Sequence, residues 1–106
     1  HIDWWRFVFN INKELMESDF PQGHAAEVGT SILKYLFPEL VVEEKMMKKE
    51  RRAGEEIPNL YVYEYFTADT ETSVLGDPFA GNAEKGEKMI ENAVKTIVAF
   101  LEKYKK

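Results

Sequence analysis

The sequence of 106 residues contains no cysteine and only two histidines, His1 and His24. Without cysteine there can be no disulfide bond and no thiolate zinc site, and nothing points to an oxidising compartment. A catalytic zinc ion normally takes three protein ligands from His, Asp and Glu, and no carboxylate cluster surrounds the one internal histidine. We therefore expect a cytoplasmic protein with no metal site formed by this chain alone.

Long apolar segments and nucleotide-binding motifs are also missing. No apolar run approaches roughly 18 residues, and no signal-peptide pattern is present. The net charge of −5 at pH 7 disfavours a phosphate backbone as a partner. The sequence has no glycine-rich dinucleotide loop, no phosphate-binding loop and no serine nucleophile elbow. These absences exclude three enzyme classes and predict neither a membrane nor a nucleic-acid partner.

Three segments have the apolar spacing of amphipathic helices. The first covers residues 3–15, with Asp3 as its N-cap, and the second covers about 25–37 and stops before Pro38. The third helix has Asn82 as its cap and continues to the C-terminal lysines. Since one domain can be formed by a chain of this length, we expect these helices to share one core.

Two further segments differ in composition from the helices. Residues 43–56 contain five acidic and five basic residues, which predicts a charged surface loop. Residues 60–67 are rich in aromatic and β-branched residues and predict a strand. Because one strand cannot cover several apolar helix faces, and because the chain starts with His1, we expect a fragment of a longer α/β protein. The abundant Lys and Glu without cysteine are also typical of thermophiles.

His24 is the strongest candidate for a catalytic residue in this sequence. If it lies at the start of the second helix, Glu27 is stacked on the same face, because residues three apart are neighbours on a helix. Such a pair could transfer a proton, with the carboxylate orienting the imidazole. The pair could equally be structural, with His24 bonded to backbone and Glu27 facing the positive end of the helix dipole.

Glycines and tryptophans around this segment suggest close contacts. Small residues crowd the beginning of the second helix at a cost in helix propensity, so something must approach or bind there. Trp4 and Trp5 point in different directions on the first helix, so only one can be core and the other could form a wall for a substrate. Gly86 lies on the apolar stripe of the third helix, where we expect a strand or loop to come close.

The order of three motifs resembles the C-terminal half of the creatininase (creatinine amidohydrolase) family. The motifs are the tryptophan pair of the first helix, "GHAAEVGTSILKYLFPELV" at 23–41 and "SVLGDPFAGNAEKGEKMIENAV" at 73–94. In the family, a tryptophan-containing helix precedes a His-Ala-x-x-x-Glu-Thr-Ser helix, and a Gly-Asp-Pro loop leads into an Ala-x-Lys-Gly-Glu helix. The resemblance covers nearly the whole chain outside the charged segment.

The resemblance implies a fold, a reaction and partners. The fold is a three-layer α/β/α sandwich with a mostly parallel sheet, of which residues 1–106 would be the C-terminal half of one domain. The reaction is hydrolysis of a non-peptide C–N bond, in a cyclic amide such as creatinine or in a formamide, the latter in an archaeal branch that deformylates a formylaminopyrimidine. The cofactor is a divalent metal, zinc, iron or manganese, whose ligands would come from sequence outside this chain, from the missing N-terminal half or a partner chain. Members often assemble as homo-hexamers.

The resemblance also implies roles for individual residues. His24 matches the pocket histidine of the family, a catalytic proton donor or hydrogen-bonding group for the amide. Trp4 or Trp5 matches a substrate-contacting tryptophan, and Gly23 adjoins the same pocket. Gly29 stands where the family usually has glutamate, and Glu27 could substitute as a catalytic carboxylate. The alternative is a non-catalytic subunit that keeps the fold for assembly, in which His24 is structural.

Overall fold

The computed structural model describes residues 1–50 and 72–105. Three α helices form this part of the chain: α1 at Trp4–Ile11, α2 at Glu27–Leu36 and α3 at Ala83–Tyr104. Short 3-10 turns lie between them, at Lys13–Leu15, Pro38–Leu40, Glu43–Lys45 and Pro78–Ala80. All three predicted helices are therefore present, although α1 ends before residue 15 and α2 begins two residues later than expected.

The predicted caps of α1 and α3 explain where these helices begin. The Asp3 side chain accepts a hydrogen bond from the backbone N–H of Arg6 at 3.3 Å. The Asn82 side chain accepts one from the backbone N–H of Lys85 at 2.9 Å. Each bond satisfies one of the N–H groups that the first turn of a helix leaves without an intrahelical partner.

The helices α2 and α3 pack directly on each other. Gly86 makes this possible, because a Cβ atom at this position would overlap the backbone carbonyl oxygen of Ser31. The hydroxyl oxygen of Ser31 accepts a hydrogen bond from the backbone N–H of Asn82 at 3.2 Å, which joins the middle of α2 to the start of α3. The close neighbour expected at Gly86 is thus a helix and not a strand or loop.

A small apolar core lies where the three helices meet. Its fully buried members are Val8 of α1, Val28 of α2, and Met89 and Ala93 of α3. Larger side chains from α1 and the turn after it surround the core without being completely buried. Burial of such side chains is the main favourable contribution to folding, and the core members that α3 supplies lie in its N-terminal half.

The predicted α/β/α sandwich is wrong for the described residues, which are mostly helical and contain no sheet. Their β contacts are two isolated antiparallel bridges, between His24 and Leu75 and between Lys49 and Gly76. The pairing stops after Gly76 because the next residues, Asp77 and Pro78, start a 3-10 turn and proline has no N–H to donate. The sheet was implied by the family resemblance. Within the described residues, the core is formed by helices packed on one another.

Two predicted segments fall partly or wholly outside the described residues. The charged segment 43–56 is described up to residue 50, where it contains the 3-10 turn Glu43–Lys45 and an ion pair from Lys34 to Glu43 at 2.8 Å. The predicted strand at 60–67 lies outside the described residues. Among the helices of the described ranges, none combines the length and the apolar character that crossing a membrane requires.

Candidate functional site

His24 lies in the turn before α2 and not on the helix. Its backbone carbonyl oxygen accepts a hydrogen bond from the N–H of Leu75 at 2.8 Å. The next residue, Ala25, has a φ of 49°, in the left-handed region that non-glycine residues rarely adopt. The carbonyl of Pro21 accepts a bond from the N–H of Val28 at 2.9 Å and closes the turn. The strained turn is therefore held from both ends, which sets the position of His24.

The imidazole ring of His24 is oriented by the backbone of the loop before α3. Its Nδ1 lies 2.5 Å from the carbonyl oxygen of Ser73, and the residue is exposed. A carbonyl oxygen can only accept, so Nδ1 carries the proton of this hydrogen bond. In this tautomer the other ring nitrogen, Nε2, is the hydrogen-bond acceptor.

Glu27, in contrast, is completely buried and bonded to the turn after α1. Its Oε1 accepts from the backbone N–H of Glu17 at 2.9 Å, and its Oε2 accepts from the N–H of Ser18 at 2.8 Å and from the Ser18 hydroxyl at 2.6 Å. The ammonium group of Lys85 donates to Oε1 at 2.5 Å. We refer to Glu17, Ser18, Glu27 and Lys85 as the Lys85 cluster.

Lys85 uses all three protons of its ammonium group within this cluster. They are donated to the carboxylates of Glu27 and Glu17, the latter at 2.7 Å, and to the backbone carbonyl of Ala80 at 2.9 Å. Lys85 is only 8% exposed. A buried charge is tolerated where its hydrogen-bonding capacity is satisfied and an opposite charge is adjacent, and both conditions are met here.

The charged states of both partners are stabilised. Burial alone would raise the pKa of Glu27, but hydrogen bonds from Lys85, Ser18 and the Glu17 amide outweigh it, and the pKa is lowered from its ordinary 4.5. Burial would lower the pKa of Lys85, but its bonds to Glu17 and Glu27 raise the pKa above the ordinary 10.5. Both Glu27 and Lys85 therefore keep their charges where the start of α2 meets the start of α3.

This geometry separates the two residues that the helical spacing placed together. His24 precedes the helix and contacts Ser73, whereas Glu27 is turned inward to the Lys85 cluster. A helix would have stacked them, but the left-handed Ala25 breaks the helical spacing between them. In the described residues, His24 and Glu27 therefore do not share one pocket. The catalytic role of each stays a prediction.

An open groove brings three of the predicted site residues together. It has a volume of about 720 Å³, and Trp5, Gly23 and His24 all line it, together with Gly29. The rest of its lining comes mainly from apolar side chains: Phe20, Ile32, Leu33, Leu36, Phe37 and Leu75. Pockets of about 300–1,000 Å³ with apolar walls and few polar groups are typical of small-molecule sites. Trp4 is outside this lining and contacts the Phe7 ring, with centroids 6.4 Å apart.

The described residues do not fit a bound divalent metal. No group of three or more His, Asp or Glu side chains with suitable geometry occurs in residues 1–50 and 72–105. The buried carboxylate of Glu27 cannot serve as a ligand without giving up the hydrogen bonds that its two oxygens accept from Lys85, Ser18 and the Glu17 amide.

Comparison with models of known protein families shows to which family the chain belongs. The model of the creatinine amidohydrolase (creatininase) family matches residues 1–101, nearly the full chain. The chain belongs to the creatininase family. None of the curated proteins and none of the solved structures compared with it matches significantly. Membership of the creatininase family confirms the resemblance seen in the motifs and identifies the chain with an amidohydrolase family.

The residue that the sequence analysis missed is Lys85. A signal was present, because Lys85, Met89 and Ala93 are four residues apart and share one face of α3, so the buried stripe passes through the lysine. The pairing of Lys85 with Glu27 spans 58 residues of chain. No local pattern indicates which carboxylate such a lysine meets.

Proposed function

We propose that this chain forms the substrate-binding side of an amidohydrolase that cleaves a non-peptide C–N bond, in a cyclic amide such as creatinine or in a formamide. The observation that carries the proposal is the groove, in which His24, Trp5 and Gly23 line one space. Creatininase-family membership supports the reaction class. The archaeal formylaminopyrimidine branch would be one source of a formamide substrate.

In this proposal His24 moves a proton during cleavage of the amide. Its Nδ1 donates to the Ser73 carbonyl, so Nε2 accepts a proton from the attacking water and returns it to the nitrogen as the C–N bond breaks. One C–O bond forms, one C–N bond breaks, and the proton passes from water to the leaving amine. A divalent metal, zinc, iron or manganese, would be bound by residues outside this chain, in the N-terminal half or a partner chain.

The test compares His24→Ala with His1→Ala in the complete protein, using hydrolysis of creatinine and of a formamide as the assay. General acid–base catalysis contributes about 10²- to 10⁴-fold to a rate, so kcat should fall by that factor for His24→Ala. The same removal of an imidazole at His1, an exposed residue that does not line the groove, should leave kcat unchanged. Equal turnover by the two variants would remove His24 from the mechanism.

A second proposal is that the chain is a non-catalytic member of the family, retained for assembly. It is favoured by the position of Glu27, whose carboxylate is bound by Lys85 and faces away from the groove, together with Gly29, which brings no carboxylate of its own. The two proposals are separated by activity of the complete protein supplied with zinc, iron or manganese. Absence of hydrolysis with all three metals would favour the non-catalytic member.

Either proposal includes contacts with further protein, either the N-terminal half, a partner chain or other copies in a homo-hexamer. Large apolar side chains that are half or more exposed on α3 support such contacts: Val94, Val98, Phe100, Leu101 and Tyr104. Sedimentation of the complete protein would measure its oligomeric state. A monomer at all concentrations would contradict the homo-hexamer. A cytoplasmic location, a thermophilic source and the division of residues 1–106 as half of one domain stay predictions.

A further inference from the structure

The turn that carries His24 is fixed against the loop before α3 on both sides of the histidine. A Cβ atom at Gly23 would overlap the backbone carbonyl oxygen of Leu75. A Cβ atom at Gly76 would lie 2.5 Å from the Cβ atom of Ala26, which is also too close. Between these contacts, the His24 carbonyl accepts its hydrogen bond from the N–H of Leu75. The turn can therefore neither approach the loop nor leave it without losing a bond.

The change of direction between this turn and α2 falls on Ala25. On one side His24 is held by the loop. On the other side Ala26 is completely buried, and its carbonyl accepts a hydrogen bond from the N–H of Thr30 at 3.0 Å. With both neighbours fixed, the φ of 49° at Ala25 joins them. This left-handed conformation is unfavourable for most residues and is tolerated best by glycine and asparagine.

A second strained residue lies on the opposite side of the same contact. Among the described residues, Ala25 and Ser73 are the two residues other than glycine with a positive φ, and that of Ser73 is 63°. The Ser73 carbonyl oxygen is the group that accepts the hydrogen bond from Nδ1 of His24. Strained backbone persists only where the surrounding structure imposes it, and such residues cluster at functional sites. Here two of them meet at one side-chain hydrogen bond.

We propose that Ala25 is a positioning residue, whose left-handed backbone holds the His24 imidazole on the Ser73 carbonyl and so fixes the ring in its Nδ1–H tautomer. The hydrogen bond of one ring nitrogen determines which nitrogen carries the proton, and here it leaves Nε2 as the acceptor. The inference rests on the proposed function for the use of that tautomer in catalysis. The tautomer itself is measured without any reaction.

The experiment compares Ala25→Val with Ala25→Asn in the complete protein. The two side chains are similar in size, but asparagine tolerates a positive φ and β-branched valine does not. Nitrogen-15 NMR at about pH 9, where a histidine ring is neutral, shows which ring nitrogen carries the proton. The His24 signal is assigned by its loss in His24→Gln, and circular dichroism establishes that each variant is folded.

We expect the Nδ1–H form to predominate in the parent, in Ala25→Asn and in Ala25→Gly. In Ala25→Val the ratio of Nδ1–H to Nε2–H should fall by about fivefold or more, because the hydrogen bond that favours the first form is lost. Ala25→Leu, which is not β-branched, takes the place of the valine variant if that variant does not fold. For amide hydrolysis, kcat should be about tenfold or more lower in Ala25→Val than in Ala25→Asn.

The outcomes distinguish this inference from the proposed function. A predominant Nε2–H form in the parent, or an equal Nδ1–H fraction in Ala25→Val and Ala25→Asn, would overturn the positioning role. A tautomer that depends on position 25 in a protein that hydrolyses no amide would support the positioning of the ring while refuting the proposed reaction. Hydrolysis that depends on His24 but is equal in Ala25→Val and Ala25→Asn would uphold the proposed reaction and overturn the positioning role.

Discussion

The first turn of α2 separates two regions that differ in how their polar groups are satisfied. On the inner side, Glu27 is completely buried and accepts hydrogen bonds from Lys85, Ser18 and Glu17. On the outer side, Gly29 and the His24 turn line an open groove against Trp5. The inner region is saturated with bonds and holds the helices together, and the outer region has space for a ligand. Substitutions on the two sides should therefore differ in kind, with large losses of stability inside and small ones outside.

Lys85→Met should produce the largest loss of stability. It removes the ammonium group and leaves the Glu27 carboxylate buried without its cation, which costs about 3–5 kcal/mol in the free energy of unfolding. The matched control is Lys88→Met on the same helix, because Lys88 pairs with Glu84 at the exposed surface. Urea denaturation of the complete protein should show a much lower midpoint for the first variant and almost no change for the second. Similar midpoints for both would show that the inner region is no more stabilising than the surface.

Gly86→Ala should have the next largest effect. The new methyl group overlaps the Ser31 carbonyl and must push α3 away from α2, and overpacking of this kind costs about 1–3 kcal/mol. Gly29→Ala is the matched control, since the same substitution in α2 meets the Trp5 ring at an ordinary van der Waals distance of 3.6 Å. Thermal unfolding would measure the difference, and a Gly86→Ala variant as stable as the parent would contradict the direct packing of the two helices.

Acidification should weaken the inner region. The folded-state pKa of Glu27 lies below its ordinary 4.5, so its contribution to stability is complete above that pH and is lost as the pH falls through the folded value. Lys85 behaves in the opposite sense, with a contribution complete below pH 10.5 and lost as the pH rises through its raised pKa. The stability difference between the parent and Glu27→Gln, measured in urea from about pH 6 to about pH 3, should shrink towards acid. A constant difference would contradict the lowered pKa.

Gly29→Ala should have the smallest effect, and of opposite sign. Alanine has a higher helix propensity than glycine by about 1 kcal/mol, and its methyl group meets Trp5 at an ordinary distance. The free energy of unfolding should be unchanged or rise by up to about that amount. A substantial loss of stability in thermal unfolding would show that the outer region is packed as tightly as the inner one.

Helices and their caps were predictable from the sequence because they depend on neighbouring residues. Asp3 and Asn82 cap α1 and α3 as expected, and Val8 and Val28 are buried as the apolar spacing predicts. The C-terminal part of the predicted stripe on α3 is exposed, as at Leu101, since no described element covers it. Apolar spacing indicates which face can be buried but not how far along a helix a partner extends.

The candidate site was predictable only in part. Motif order led to His24, and the structure places it with Trp5 in the groove, but the left-handed conformation of Ala25 removed the expected pairing with Glu27. No residue pattern indicates a positive φ at an alanine, because it depends on the turn around it, which is held by hydrogen bonds from Val28 to the Pro21 carbonyl and from Leu75 to the His24 carbonyl. The prediction of a sheet was wrong because it came from the family resemblance. The described part of the chain has no alternation of apolar and polar residues that would have indicated strands.

The length of α3 implies a gradient of local stability along a single helix. The helix has 22 residues, and the last one buried in the core is Ala93. The eleven residues beyond it extend about 16 Å at about 1.5 Å per residue. Backbone amides exchange with solvent through local opening, whose free energy falls where few apolar contacts are buried. Amide hydrogens of the first half of α3 should therefore exchange slowly, through opening of the whole fold, while those after Ala93 should exchange progressively faster until another surface covers them.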